Sequence, residues 1–83
     1  MPIKVEKKDG RLENFDRNKV SSGIVKSGAS ATEAESIANQ IGTWVQSAAV
    51  GGVVKSSVIK TKVLELLRSV NPAWAVTFEA YSA

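Results

Sequence analysis

The chain has 83 residues, with 11 Lys and Arg against 8 Asp and Glu, a formal net charge of +3, and 43% hydrophobic residues. A chain this short hides only about 60–65% of the surface that its unfolded form exposes, so it reads as a single domain over residues 1–83, with one core and no deep, walled active site. It contains neither cysteine nor histidine, which excludes disulfides, thiolate zinc sites and cysteine nucleophiles and removes the commonest general base.

The elements follow in chain order. Ile3, Val5 and the polar residues between them alternate, which predicts a half-buried strand from Ile3 to Lys7. Lys8-Asp9-Gly10-Arg11 follows. An Asp-Gly pair is a strong hairpin signal, because both central residues tolerate positive φ. Leu12 to Phe15 form the return strand. Asp16 can cap a first helix running to Ser27, with Gly28 able to take the left-handed position after it. Ser30 and Glu33 have the spacing of a capping box. The second helix then shows a clean stripe of Ala34, Ile37, Ala38, Ile41, Trp44, Val45 and Ala48.

Gly51-Gly52 breaks that helix, and Val53-Val54 favour a short third strand. Ser56 or Ser57 is placed to cap a third helix, whose inward stripe is Ile59, Val63, Leu66, Leu67 and Val70. Asn71-Pro72 opens a fourth helix with proline at its first position. That helix shows Trp74, Phe78 and Tyr81 on one side. Aromatics at helical spacing are expected in the core. The resulting class is α+β: a four-helix bundle covered by a β-hairpin and a short third strand.

No run of apolar residues reaches the 18 or so that a membrane span needs. The charged N-terminus lacks the apolar stretch of a secretory signal, so a cytoplasmic location is expected. The basic balance suits an anionic partner, whether nucleotide, nucleic acid or acidic protein face. Lys4, Lys7, Lys8, Arg11, Arg17 and Lys19 crowd the first 19 residues, and Lys55, Lys60 and Lys62 gather at the start of the third helix. A triphosphate needs several cations and backbone N–H groups, and a helix N-terminus supplies the latter. Glu13, Asp16 and Lys19 lie three apart, on one side of a prospective pocket. The plainer reading of the same spacing is a cap by Asp16 with an i,i+3 ion pair to Lys19. The segment Gly51 to Ser56 lacks the spacing of a phosphate-binding loop of the Walker type. With no nucleophile–base pair available, an enzyme is not expected. Any metal, such as Mg2+, could bind only through oxygen, alongside a ligand's phosphates.

The run Val5-Glu6-Lys7-Lys8-Asp9-Gly10-Arg11-Leu12-Glu13-Asn14-Phe15-Asp16-Arg17-Asn18-Lys19-Val20 resembles the opening of the ATP-cone domain. That family opens with a valine, a basic pair and Asp-Gly, then a Glu, an apolar residue with Asp or Asn, and Lys-Ile or Lys-Val. Ser56-Ser57-Val58-Ile59 and Val63 through Leu67 resemble its third helix. Ala75, Phe78 and Tyr81 resemble its closing Ala-x-x-Tyr/Phe-x-x-Tyr pattern.

The resemblance implies a four-helix bundle capped by a three-stranded mixed sheet, and a non-catalytic allosteric sensor of ATP or dATP. Such sensors bias the oligomeric state of ribonucleotide reductases or of their zinc-ribbon repressor. By position, it implies that Lys7 and Lys8 meet phosphates, that Glu13, Asp16 and Lys19 contact the nucleotide, and that Ser56 and Lys60 add polar contacts. Lys60 stands where some members have histidine. The chain stops at Tyr81-Ser82-Ala83, where many members continue with a basic residue, so one phosphate contact is expected to be absent and the affinity weak. No catalytic domain or zinc ribbon follows, so a stand-alone ATP cone, or one cut from a larger protein, is expected, its candidate partners being a reductase or regulator in trans or further copies in a nucleotide-dependent homo-oligomer. The alternative from the residues themselves is nucleic-acid binding, or protein interaction in trans, by the same basic face.

Overall fold

The computed structural model describes residues 2–81. Seven elements follow one another: β1 (Lys4–Glu6), β2 (Leu12–Asn14), α1 (Arg17–Lys26), α2 (Ala31–Ala48), β3 (Val53–Lys55), α3 (Ser56–Val70) and α4 (Pro72–Tyr81). The three strands form one mixed sheet of order β2-β1-β3, the α+β arrangement expected.

The hairpin forms as the alternation predicts, with Val5 opposite Glu13 and Glu6 opposite Leu12. Its turn differs from a two-residue Asp-Gly turn. The Gly10 N–H donates to the Lys7 carbonyl at 2.9 Å and the Lys7 N–H to the Arg11 carbonyl at 2.8 Å, which closes a three-residue loop. Of the two residues, only Gly10 has positive φ. Asp9 keeps an ordinary backbone and uses its carboxylate to accept from the Arg11 N–H and Nε, the local bonding that makes Asp a turn residue.

β1 also pairs in parallel with β3, Val5 lying opposite Val54. A parallel pair needs a long crossover, and here α1 and α2 supply it. Ile3, Val5 and Val54 are buried on the inner face of the sheet. Beneath them α1 packs on α2, α2 on α3, α3 on α4, and α4 back on α1. The largest fully buried side chains are Ile24, Ile41, Val45, Val63 and Leu67.

The caps explain most helix ends. Asp16 accepts from the Asn18 N–H at 2.9 Å. Ser30 and Glu33 make the reciprocal capping box. Asn71 Oδ1 accepts from the Ala73 N–H at 3.0 Å, with Pro72 opening α4. The third helix departs from expectation. Neither Ser56 nor Ser57 caps it; both are helical, and Lys55 holds the cap position without a side-chain cap hydrogen bond. The reason is that β3 runs straight into α3 with no loop, so the residue before the helix is the last residue of a strand.

Two expected inward positions turn outward: Val70 and Tyr81 are exposed. Leu64 is buried in α3 instead. Trp44, Trp74 and Phe78 are only partly buried, packed against the core rather than inside it.

Gly28 follows α1 with φ +120°, and a Cβ there would stand 3.0 Å from Trp74 Cδ1. Gly28→Ala is therefore expected to cost about 1–3 kcal/mol from backbone strain and displacement of the indole, read as a lowered midpoint in thermal unfolding. Gly42, inside α2, has nothing within 4 Å of such a Cβ. Gly42→Ala is expected to raise stability by roughly 0.5–1 kcal/mol, so the two substitutions should shift the midpoint in opposite directions.

Candidate functional site

A cavity of about 670 Å³ opens where the hairpin, α1, the start of α3 and the end of α4 meet. That size lies within the range of about 300–1,000 Å³ typical of small-molecule sites.

Each element reaches the cavity for a local reason. In β1 the inward parity runs Ile3, Val5, Lys7. The first two are buried and Lys7 lies at the cavity wall. Glu13 faces Val5 across the hairpin and therefore shares its face. On α1 and its cap, Asp16, Lys19, Val20 and Gly23 form a stripe at offsets of three, four and seven, and all four line the cavity. On α3, Ser56, Ile59, Lys60, Val63 and Leu64 form the matching stripe. From α4 come Phe78, Glu79 and Tyr81. Phe15, Val20, Ile59, Val63, Leu64 and Phe78 give the cavity apolar walls, and the lysines stand among them.

All seven residues singled out from the sequence, Lys7, Lys8, Glu13, Asp16, Lys19, Ser56 and Lys60, line this one cavity. Lys7 is half-buried, while Lys8, Asp16 and Lys19 are exposed. The remaining basic residues are engaged differently. Arg17 pairs with Glu35 and donates to Asn39 Oδ1, bracing α1 on α2. Lys62 lies 6.0 Å from the Trp44 ring centre and 3.3 Å from Glu65, beside a separate, smaller hollow. So of the group Lys55, Lys60 and Lys62, only Lys60 lines the large cavity.

Glu13 is the electrostatic hub. Its Oε1 lies 3.9 Å from both Lys7 Nζ and Lys19 Nζ, and its Oε2 lies 3.8 Å from an Arg11 guanidinium nitrogen. Lys19 thus faces Glu13, while Asp16 serves as the α1 cap. The first turn of α3, with Ser56 and Ser57 on the cavity wall, has no side-chain cap. Its N–H groups and the positive end of the helix dipole favour an anion there. This wall offers cations, hydroxyls, carboxylates and backbone groups.

Several cavity residues were not selected from the sequence. The helical spacing of Phe78 and Tyr81 predicts core positions, and no motif marks Glu79. Asn14, Ser57 and Thr61 carry no distinguishing signal. Gly23 does carry one. A glycine inside a helix costs about 1 kcal/mol against alanine and so hints at a close approach. Here a Cβ would lie 3.4 Å from the Phe78 ring. Tyr81, 60% exposed, holds its ring 5.4 Å from Lys26 Nζ at the cavity edge. Ser82 and Ala83, where the family's further basic residue was expected to be missing, lie outside the described residues.

No helix among the described residues is long and apolar enough to cross a membrane. No curated protein matches the chain. The family model described as the ATP cone domain matches residues 3–83. With the mixed three-stranded sheet over four helices, that match over nearly the whole length shows that the chain belongs to the ATP-cone family, a family of regulatory modules that bind ATP or dATP.

Proposed function

We propose that residues 1–83 form a single domain that binds ATP or dATP in the cavity between hairpin and helices, without hydrolysing it, and acts as an allosteric sensor. The observation that carries this reading is the convergence of Lys7, Lys8, Lys19 and Lys60, from the hairpin, α1 and α3, on one cavity. Lys7, Lys8 and Lys19 neutralise phosphate oxygens, with the α3 N-terminus, Ser56 and Lys60 completing the cradle. Glu13 and Asp16 accept hydrogen bonds from sugar hydroxyls or the adenine amino group. The apolar walls around Phe15, Ile59 and Phe78 take the less polar part of the ligand.

Among the described residues no group of three or more His, Cys, Asp or Glu could hold a metal ion. Any Mg2+ at the site enters with the phosphates of the nucleotide, through oxygen. The regulated object is a ribonucleotide reductase or its repressor, or the oligomeric state of the protein itself, in the cytoplasm.

The basic face as a nucleic-acid surface is the competing use. It would show as affinity that falls steeply with salt and needs no mononucleotide.

Titration calorimetry with ATP, dATP and GTP is expected to show saturable adenine-nucleotide binding. The absence of binding of any adenine nucleotide at millimolar concentration would overturn the reading. Lys7→Ala combined with Lys8→Ala is expected to weaken ATP binding by roughly ten- to a hundredfold, the scale of losing two charge-assisted contacts. The far-UV circular dichroism should be unchanged, because both positions lie at the end of the hairpin outside the core.

A further inference from the structure

The cationic wall of the cavity is already in contact with an anion, and that anion belongs to the protein. The Glu13 carboxylate stands 3.8–3.9 Å from Lys7, Lys19 and Arg11. These separations exceed the 2.7–2.9 Å of a formed charge-assisted hydrogen bond. The three cations are therefore drawn toward Glu13 without being locked to it. The Glu13 side chain is 34% exposed, so the attraction is screened in part. Four lysines and three carboxylates (Glu13, Asp16 and Glu79) line the cavity, which leaves it a single net positive charge.

We propose that Glu13 is an internal competitor for the phosphate position, and that it makes the site select nucleoside triphosphates over polyphosphates that carry no nucleoside. The inference rests on the nucleotide reading above and adds a selectivity device to it. Any polyanion that reaches Lys7 and Lys19 must take the place of Glu13 beside them. The displaced carboxylate then faces added negative charge, and the resulting repulsion acts on every polyphosphate alike. A nucleoside triphosphate offsets it, because its hydroxyl and amino groups donate hydrogen bonds that a carboxylate accepts. Inorganic tripolyphosphate has no sugar hydroxyl or base amino group with which to do so. Selectivity thus arises from a repulsive element that only the right ligand can satisfy, rather than from added attraction.

The test is calorimetric titration of the full chain with sodium tripolyphosphate and with ATP, in EDTA so that divalent ions do not compete. Glu13→Gln keeps the size of the side chain and removes its charge. It is expected to bind tripolyphosphate about three- to tenfold more tightly than the unsubstituted protein, the scale of removing a few partly screened ion pairs. The ratio of ATP to tripolyphosphate affinity should fall. Glu13→Thr, a good strand residue, should show the same gain. Glu65→Gln makes the same charge change beside Lys62, away from the cavity, and is expected to leave tripolyphosphate affinity unchanged.

An unchanged or weaker tripolyphosphate affinity in both Glu13 variants, with ATP still bound by the parent chain, overturns the role of Glu13 alone. An equal gain in Glu65→Gln also overturns it, since net charge would then suffice. Failure of the parent chain to bind ATP overturns the nucleotide reading itself.

Discussion

The parallel pairing of β1 with β3 is the contact on which the site depends. β1 has two edges, and both are used: β2 takes one in antiparallel register and β3 takes the other in parallel. The second pairing joins the end of the hairpin to the start of α3, because Glu6 is matched with Lys55 and Ser56 begins the helix directly. Lys7 follows Glu6 at once. The basic hairpin loop and the uncapped helix N-terminus are therefore neighbours for a backbone reason, before any side chain has packed. Backbone N–H and C=O groups must be paired when buried, which makes this register a rigid frame for the polar residues at its end.

The direct junction of β3 and α3 has a cost and a use. A helix without a side-chain cap forgoes on the order of 1 kcal/mol. Here the uncapped first turn lies at a cavity that is also lined by lysines and hydroxyls. On the function proposed above, a phosphate bound there acts as the acceptor for that turn. Gly23 is a second departure of this kind, inside α1. It is unfavourable for the helix and lies on the cavity wall, where a Cβ would just touch the Phe78 ring at 3.4 Å. Both departures from local helix preference fall at the cavity, where a sequence is expected to serve binding as well as stability.

Charge at the site is balanced rather than simply positive. Arg17, which looked like part of a basic cluster, braces two helices through Glu35 and Asn39. Lys62 covers Trp44 on another face. What remains at the cavity is a set of lysines opposed by a few carboxylates, with Glu13 nearest their centre. On the selectivity proposed above, such a cleft attracts polyphosphates and distinguishes among them, because part of the charge is displaced on binding.

The sequence by itself determined the element order, the caps at Asp16, Ser30 and Asn71, and the alternation that turns Ile3 and Val5 inward. These are matters of local periodicity and of hydrogen bonds within four residues. The resemblance carried by Val5 to Val20 and by the start of the third helix singled out the candidate residues, which stand together around one cavity. Only the tertiary structure decided which lysines face that cavity, that Glu13 lies between Lys7 and Lys19, that Ser56 enters a helix without capping it, and that Phe78, Glu79 and Tyr81 belong to the wall. Glu13 meets Lys7 and Lys19 through the hairpin and the turn into α1, while the wall supplied by α3 and α4 depends on their packing against segments far earlier in the chain. No periodicity within one element records how another element will be rotated against it, so spacing alone could not separate an aromatic of the core from an aromatic of the site.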